Sequence, residues 1–294
     1  MSARLTMAVQ RRGRLADGGF DLLERAGVRF AYTRDALSRH AENLPLDLML
    51  IRDDDIPSFV ASGACDYGIV GENVLAEAAT RSPRIARLEV ALPLGFARCS
   101  LKLAAPRDSA VRDIGDLDGR AVATTYPGLT RAFLDSQGVA AEIVEMGGSL
   151  EVAPRMGIAD AICDLVSTGA TLEANGLVPF ASVRHSEAVL IHAPGVGTGE
   201  VAQTANLLIQ RFKGVIASRQ TKYILLNAPR DRLDEIRATL PGADAPTVAP
   251  VVGRDDMVAV HAVCTEEVFW TTLEQLKAAG ARSILVLPIE KMLA

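Results

Sequence analysis

Aromatic side chains and excess positive charge are both scarce in this sequence. Phe, Trp and Tyr make up 4% of its 294 residues, with a single Trp. Proteins that hold single-stranded nucleic acid stack its bases on aromatic side chains. Lys and Arg number 31 against 36 Asp and Glu, a formal net charge of −5, whereas binders of nucleic acid or anionic membranes carry a basic surplus. We therefore expect neither nucleic acid nor a membrane as a partner.

Cysteine and histidine are also sparse, with four of each. No CxxC pair occurs, and no Cys/His group has the spacing of a zinc site. Isolated cysteines favour a reducing compartment over a disulfide framework, and we expect the histidines to be structural or surface residues. These residues are Cys65, Cys99, Cys163, Cys264, His40, His185, His192 and His261.

Long apolar runs and the motifs of covalent catalysis are missing. No run approaches the roughly 20 residues that a helix needs to cross a bilayer, and the first residues lack the apolar core of a signal peptide. Neither Gly-x-Ser-x-Gly nor the P-loop Gly-Lys-Ser/Thr occurs. We therefore expect a cytoplasmic protein without a covalent intermediate.

Short apolar strands alternate with helical stretches along the chain. This alternation favours mostly parallel sheets with helices on both faces. A helix is predicted at 17–26. The predicted strands of the first unit are 5–9, 46–51 and 67–70, and those of a second unit, which starts near residue 95, are 100–105, 120–124, 143–146 and 161–166.

Three units are predicted from these patterns. Asp66–Gly71 and Asp164–Gly169 both read Asp-x4-Gly, which favours two similar lobes facing a cleft. The last residues follow the order β-α-β-β-α-β of the ferredoxin-like arrangement and contain few candidate catalytic groups, so we expect a regulatory or oligomeric role for them. The predicted limits are 1–94 with 181–217 for lobe I, 95–180 for lobe II and 218–294 for the regulatory domain.

A loop of small and hydroxyl residues follows the strand at 161–166. Its small residues let backbone N–H groups approach a phosphate at a helix N-terminus, and its hydroxyls add donors. Upstream carboxylates are placed to accept ribose hydroxyls or to hold Mg²⁺. The pattern predicts a site for a phosphorylated ribose, although a plain turn with capping hydroxyls is the alternative. The candidates are Ser167, Thr168, Gly169, Ala170 and Thr171, with Asp160 and Asp164.

Arginines are concentrated in the loop after the first strand. Arg11, Arg12 and Arg14 surround Gly13 there, at a strand end of the kind where open α/β sheets bind ligands. Guanidinium groups suit phosphate, and glycine allows close backbone approach. The loop therefore predicts a phosphate contact, with a solvated basic face as the alternative.

Three more candidates follow predicted strands. Arg52 stands where a leaving pyrophosphate could bind, whereas the nearby Asp55 is expected to cap a helix that begins at Ile56. Glu72 could hydrogen-bond to the edge of an adenine or of a ribose, or could simply start a helix. For Tyr126 a structural role is favoured, because Pro127 suits the first position of a helix.

Together these motifs resemble the ATP phosphoribosyltransferase family in its long form, over essentially the whole chain. The segment Glu151–Leu172 is the most specific. The other segments that carry the resemblance are Gln10–Leu15, Arg52–Pro57, Asp66–Leu75, Ala123–Pro127 and Ser283–Met292.

The resemblance implies an α/β fold with a two-lobed core of the type II periplasmic-binding-protein kind and a C-terminal ferredoxin-like (ACT-like) βαββαβ domain. It implies that N1 of the ATP adenine displaces pyrophosphate from phosphoribosyl pyrophosphate, with Mg²⁺, in the first step of histidine biosynthesis. It also implies inhibition by histidine, bound somewhere within 218–294, and a homo-hexamer built from dimers.

The resemblance also assigns roles to the candidates. We expect Arg52, Asp164 and Glu151 to be catalytic. Asp164, Asp160 or Glu151 would accept the ribose hydroxyls or bind Mg²⁺ through water, with Glu151 and Asp164 as the expected metal ligands. The loop 167–171, with Asp160 and Asp164, is implied to bind phosphoribosyl pyrophosphate. The residues implied to orient ATP are Arg11, Arg12, Gly13, Arg14, Glu72 and Tyr126.

Two positions depart from the family pattern. The family often has a Lys where Arg11 and Arg12 stand, and the change keeps the charge but alters the geometry. It often has a basic residue directly after the cysteine, where this chain has Ser100. Arg98 and Lys102 flank that position, and the sequence leaves open which cation replaces the missing one.

Two other functions are kept as alternatives. One is a different two-lobed enzyme with an ACT domain, such as a prephenate dehydratase, but it has no use for a phosphate loop with upstream carboxylates. The other is a solute-binding or transcription-regulatory module. Such a module normally carries a signal peptide or a helix-turn-helix, and neither is apparent.

Overall fold

The computed structural model describes residues 4–31, 37–167, 169–196, 199–240, 245–265 and 270–292. Contacts divide the chain into two compact units. One comprises Met1–Glu24 and Val28–Asn206, and the other comprises Arg25–Gly27 and Leu207–Ala294. No helix within the described ranges is long and apolar enough to cross a membrane.

The first unit contains two sheets with helices packed on them. Its strands are β1 Leu5–Gln10, β2 Ser38–His40, β3 Leu46–Ile51, β4 Tyr67–Gly71, β5 Glu89–Pro93, β6 Cys99–Pro106, β7 Ala121–Thr124, β8 Glu142–Glu145, β9 Ala161–Val166, β10 Leu177–Ser186 and β11 Ala188–His192. Its helices are α1 Arg14–Arg25, α2 Ile56–Ser62, α3 Glu72–Arg81, α4 Pro127–Ser136 and α5 Ala170–Ala174, while α6 Gly199–Arg219 contains the limit between the units.

The sheet of lobe I has six strands in the order β2-β3-β1-β4-β11-β5. β1 pairs in parallel with β3 and β4, whereas β11 lies antiparallel to β4 and β5. Helix α2 packs tightly on this sheet, because Ile56 and Val60 are fully buried against the strands. A Cβ at Gly68 would lie 2.6 Å from Ile56 Cγ2, so only glycine fits under this helix.

The sheet of lobe II has five strands in the order β10-β6-β9-β7-β8. β7 pairs in parallel with β8 and β9, and β6 is antiparallel to both β9 and β10. Helix α4 covers one face through Leu134, and the other face buries Leu150 and Leu172 against Ile162.

Both sheets are therefore mixed, and the prediction of mostly parallel sheets was wrong. The chain passes directly from β5 to β6 and from β10 to β11. Strands that arrive without a crossover helix can pair antiparallel, whereas parallel neighbours need such a crossover. The return to the first sheet follows Ser186, and the predicted limits of the lobes stay a prediction.

The predicted first helix begins earlier than its sequence pattern indicated. α1 starts at Arg14 rather than at residue 17, because Gly13 makes the turn with a φ of 104° and its carbonyl accepts the Asp17 N–H at 2.9 Å. A φ in this range favours glycine. Asp17 is therefore in the first turn of the helix.

The second unit of the structure, which comprises Leu207–Ala294 with Arg25–Gly27, has the predicted ferredoxin-like arrangement. Its four strands lie in the order β13-β14-β12-β15, and all their pairings are antiparallel. Ile224, Val260, Ile236 and Leu276 form the core between this sheet and its helices. The elements are β12 Thr221–Pro229, α7 Leu233–Thr239, β13 Thr247–Val251, β14 Arg254–Thr265, α8 Trp270–Ala278 and β15 Arg282–Pro288.

Candidate active site

The predicted phosphate loop begins where β9 ends. Ser167 is exposed directly after the strand, and Gly169, with a φ of 82°, precedes α5. The first N–H groups of a helix have no partners within it, so those at the start of α5 are available to an anion. α5 has only five residues, so these local donors matter more than any helix dipole. Thr168 lies outside the described residues.

Two carboxylates lie beside this loop. Asp164 is on β9, and Glu151 is in a short 3-10 turn that packs on the same strand. Burial raises the pKa of the Asp164 carboxyl; the Leu165 N–H at 2.7 Å lowers it, and the charge of Glu151 raises it. The two acids are therefore close enough to repel each other.

These two carboxylates could supply only part of the ligands of a metal ion. No group of three His, Cys, Asp or Glu side chains that could hold a metal ion occurs in the described part of the chain. Mg²⁺ commonly binds through one or two carboxylates, several waters and substrate phosphates. The carboxylates of Asp164 and Glu151 fit that mode of binding.

Asp160 does not belong to this cluster. It precedes β9, and its carboxylate accepts the Ala121 N–H at 3.0 Å and pairs with Arg120 at 3.3 Å. The length of β9, about 20 Å for six residues, separates Asp160 from the loop. The prediction that Asp160 contacts the phosphorylated ribose is therefore corrected, because this side chain ties the amino ends of two strands together.

Lobe I presents the arginine loop at the opposite side of the same cleft. Arg11, Arg12 and Gly13 are exposed between β1 and α1. Arg14 Nη1 donates to Ser167 Oγ at 3.0 Å. The structure thus brings together one predicted residue from each lobe, although they are distant in sequence.

Arg52 lies exposed at the carboxyl end of β3. The turn after it carries Asp53, Asp54 and Asp55, and burial, followed by the charges of its two neighbours, raises the pKa of Asp54. α2 begins at Ile56 as predicted, but the Asp55 side chain makes no capping hydrogen bond. The expected capping role of Asp55 is therefore wrong.

Glu72 and Tyr126 are both held by contacts between the lobes. Glu72 starts α3 and pairs with Arg184 Nη2 of β10 at 2.8 Å. The Tyr126 hydroxyl accepts the Asn73 Nδ2–H at 2.8 Å, and burial raises the pKa of Tyr126. Both residues face the cleft with polar partners in place.

Two cavities show which candidates share a space. One, of about 200 Å³, is lined from both lobes by Gln10, Arg14, Asp53, Asn73, Tyr126 and Ser167, among others. A second, of about 430 Å³, continues along β6 and β10. Ser167 lines both cavities, so the phosphate loop and the arginine loop border one continuous cleft.

The position of the missing family cation also lies in this cleft. Ser100 Oγ is 2.8 Å from His185 Nδ1, and both residues line the second cavity. His185 is the register partner of Ser100 across β6 and β10. The sequence could not show this pairing, because no strand was predicted at 177–186.

Comparisons with known proteins agree with these features. Residues 52–214 match the family described as HisG, ATP phosphoribosyltransferase, and residues 218–291 match the family described as its C-terminal domain. A protein of Maricaulis maris (strain MCS10) described as ATP phosphoribosyltransferase is 66% identical, with 100% of both chains covered. The ATP phosphoribosyl transferase (HisG:HisZ) complex from Thermotoga maritima matches with a TM-score of 0.59 at 25% identity, covering 71% of this chain and 98% of that chain.

The half-buried charge of Asp164 has a consequence for stability. A raised pKa means that the folded state disfavours the charged carboxylate relative to the unfolded state. We expect Asp164→Asn to raise the free energy of unfolding near neutral pH. The gain should disappear below about pH 4, where the wild-type carboxyl is protonated in both states. Urea unfolding at both pH values measures this difference.

The matched control is Asp108→Asn, which changes an exposed aspartate and should leave stability unaltered. A loss of stability in Asp164→Asn near neutral pH, or a gain that persists in acid, would contradict a raised pKa of Asp164 in the folded protein.

Proposed function

The chain belongs to the ATP phosphoribosyltransferase family, and from that premise we propose which residues carry each part of its reaction. It is a transferase that moves the phosphoribosyl group of phosphoribosyl pyrophosphate to ATP, with release of pyrophosphate, in the first step of histidine biosynthesis. Membership in this family replaces both alternatives considered from the sequence. The contact between Arg14 and Ser167 is the observation on which the proposed site rests, because it joins the two half-sites.

Phosphoribosyl pyrophosphate binds to lobe II in this proposal. Its 5′-phosphate accepts hydrogen bonds from the backbone of Gly169, Ala170 and Thr171 and from the hydroxyls of the loop, including that of Thr168. Asp164 and Glu151 accept the ribose hydroxyls or hold Mg²⁺ through water, which their proximity supports. Bound Mg²⁺ would neutralise charge on the pyrophosphate.

ATP lies against lobe I. Arg11, Arg12 and Arg14 contact its phosphates, and Gly13 lets the backbone approach them. Glu72 and Tyr126 orient the adenine from the two sides of the cleft, a role that their fixed hydrogen bonds support. In this arrangement N1 of the adenine is directed at C1 of the ribose.

The chemistry requires little acid–base assistance. N1 of adenine is already a nucleophile, so positioning and stabilisation of the leaving group should dominate the rate. As the bond from C1 to pyrophosphate breaks, negative charge accumulates on the leaving group. Arg52, exposed at the cleft end of β3, stabilises that charge electrostatically.

We expect Arg52→Ala to lower kcat by about 100-fold, since removing one donor to a developing charge costs this much in other active sites. The assay is pyrophosphate release, with the altered ultraviolet absorbance of the adduct as a second readout. Leaving out Mg²⁺ should abolish both signals.

Arg112→Ala is the matched control. Arg112 is exposed on lobe II before β7, away from the carboxyl ends of the strands, and its loss should leave the rate unchanged. Equal rates for the two variants would contradict the role of Arg52. A well-folded wild-type protein that forms no adduct would contradict the proposed site as a whole.

Histidine inhibits the enzyme from residues 218–294 in this proposal. A cavity of about 900 Å³ there is lined by charges of both signs, among them Arg254, Asp255, Lys277 and Arg282. An amino-acid zwitterion needs partners for its carboxylate and its ammonium group, and this lining offers both. Because this lining carries charges of both signs, we propose this cavity as the place where the inhibitor binds.

Histidine should raise the thermal midpoint of the wild-type protein, since a ligand at about 100 times its Kd stabilises by about 2.7 kcal/mol. Lys277→Ala should weaken that stabilisation and the inhibition together. If histidine stabilises the variant as much as the wild type, histidine binds elsewhere in 218–294. If histidine does not stabilise the wild type, inhibition by histidine is contradicted.

We propose that the chain forms a homo-oligomer, as dimers that build a hexamer. The sheet of the second unit supports this, because the face opposite its helices carries Tyr223, His261, Leu285 and Leu287. Leu285 and Leu287 are 50% and 46% exposed. An apolar sheet face of this kind is typical of a contact surface.

Leu285→Asp should lower the sedimentation coefficient to that of a smaller oligomer or a monomer, because the substitution places a charge in the proposed contact. Ala238→Asp puts the same charge on an exposed position of α7 and should not alter assembly. Identical sedimentation of both variants and the wild type would contradict this surface as the contact.

We also propose that the enzyme works in the cytoplasm. Its relative from Maricaulis maris is described as ATP phosphoribosyltransferase, and ATP, the substrate in that description, is supplied in that compartment.

A further inference from the structure

One face of helix α3 makes polar contacts with lobe II along its whole length. Asn73, Glu77 and Arg81 are spaced four residues apart, so they lie on the same side of the helix. Each contacts a residue at the carboxyl end of β7 or β8, or at the start of the helix that follows β7. We refer to these three residues as the α3 stripe.

Glu77 is the centre of the α3 stripe. One carboxylate oxygen accepts the N–H of Gly128 and the other that of Leu129, each at 2.9 Å. These N–H groups belong to the first turn of α4, where no partner exists within the helix. Glu77 is only 8% exposed, so a carboxylate of lobe I caps a helix of lobe II in a largely buried place.

The two ends of the α3 stripe make matching contacts. Asn73 donates to the Tyr126 hydroxyl at 2.8 Å, and its own amide oxygen accepts from Ser186 Oγ at 2.8 Å. At the other end, Arg81 Nη2 donates to Glu145 Oε1 of β8 at 2.8 Å. The contact between the lobes is therefore polar from end to end.

The helices also approach closely at the centre of this contact. A Cβ at Gly128 would lie 2.1 Å from Thr80 Oγ1, so a side chain there would push α3 and α4 apart. Glycine at this position and the carboxylate of Glu77 serve the same end, because both allow the first turn of α4 to lie against α3.

We propose that the α3 stripe is a clasp between the lobes, with Glu77 as a positioning residue for the transfer reaction. The clasp sets the width of the cleft, and with it the distance between the arginine loop of lobe I and the phosphate loop of lobe II. Its contacts are hydrogen bonds, and water can take the place of each partner when the lobes separate, so the clasp can open to admit substrates and close again. The kinetic part of this proposal rests on the proposed function.

Glu77→Gln tests the clasp, because the amide keeps the shape but offers one accepting oxygen and opposes the second N–H with its own donors. Hydrogen exchange of the Gly128 and Leu129 amides should accelerate at least 10-fold. Because the cleft of this variant is wider at rest, part of the binding energy of the substrates is used to close it. KM for both substrates should therefore rise about 10-fold, while kcat stays within about 2-fold of the wild-type value. Glu142→Gln, an exposed change on β8, is the control for both readouts.

Gly128→Ala disturbs the same contact from lobe II and should reproduce both effects, which keeps the test valid if Glu77→Gln folds poorly. Unchanged exchange at Gly128 and Leu129 in a folded Glu77→Gln protein would overturn the clasp. A fall in kcat with unchanged KM would leave Glu77 only a structural role and would also overturn the proposal. Failure of the wild type to form the adduct would instead contradict the proposed function, while the exchange measurement would still decide the clasp.

Discussion

Two sheets that present the carboxyl ends of their strands to one cleft are the constraint on which this structure depends. In lobe I those ends carry the arginine loop and Arg52, and in lobe II they carry Tyr126 and the phosphate loop. In the proposed site, neither lobe holds both substrates alone. Because the chain passes between the sheets twice, the contacts that fix one lobe against the other also fix the geometry of the reaction.

Charge is handled differently in the two lobes. The chain is acidic overall, with a net charge of −5, yet it must bind two polyphosphates. Lobe I offers exposed arginines at its cleft edge, whereas lobe II offers backbone donors beside Asp164 and Glu151. The burial that raises the pKa of Asp164 makes this carboxylate costly in the empty protein. In the proposed site, a cation brought with the substrate would remove that cost and so favour the loaded state.

Much of this was predictable from the sequence, and the errors have a common cause. The strand at 161–166 and the loop after it were predicted because an apolar run ends abruptly in small residues, and the structure has β9 within those limits. The prediction that Asp160 contacts the phosphorylated ribose was wrong because Asp160 and the phosphate loop, although near in sequence, lie at opposite ends of β9. The pairing of Ser100 with His185 and the contacts of Glu77 could not be predicted, since each joins side chains that only the folded lobes bring together.

In the proposed arrangement, the loop after β9 and the arginine loop hold the two substrates across one cleft. A crystal structure of the protein with ATP, phosphoribosyl pyrophosphate and Mg²⁺ tests it most directly. We expect the 5′-phosphate on the N–H groups of Gly169 to Thr171, Mg²⁺ near Asp164, and the ATP phosphates against Arg11 to Arg14. A 5′-phosphate bound away from the loop after β9, or both substrates bound to a single lobe, would contradict the account.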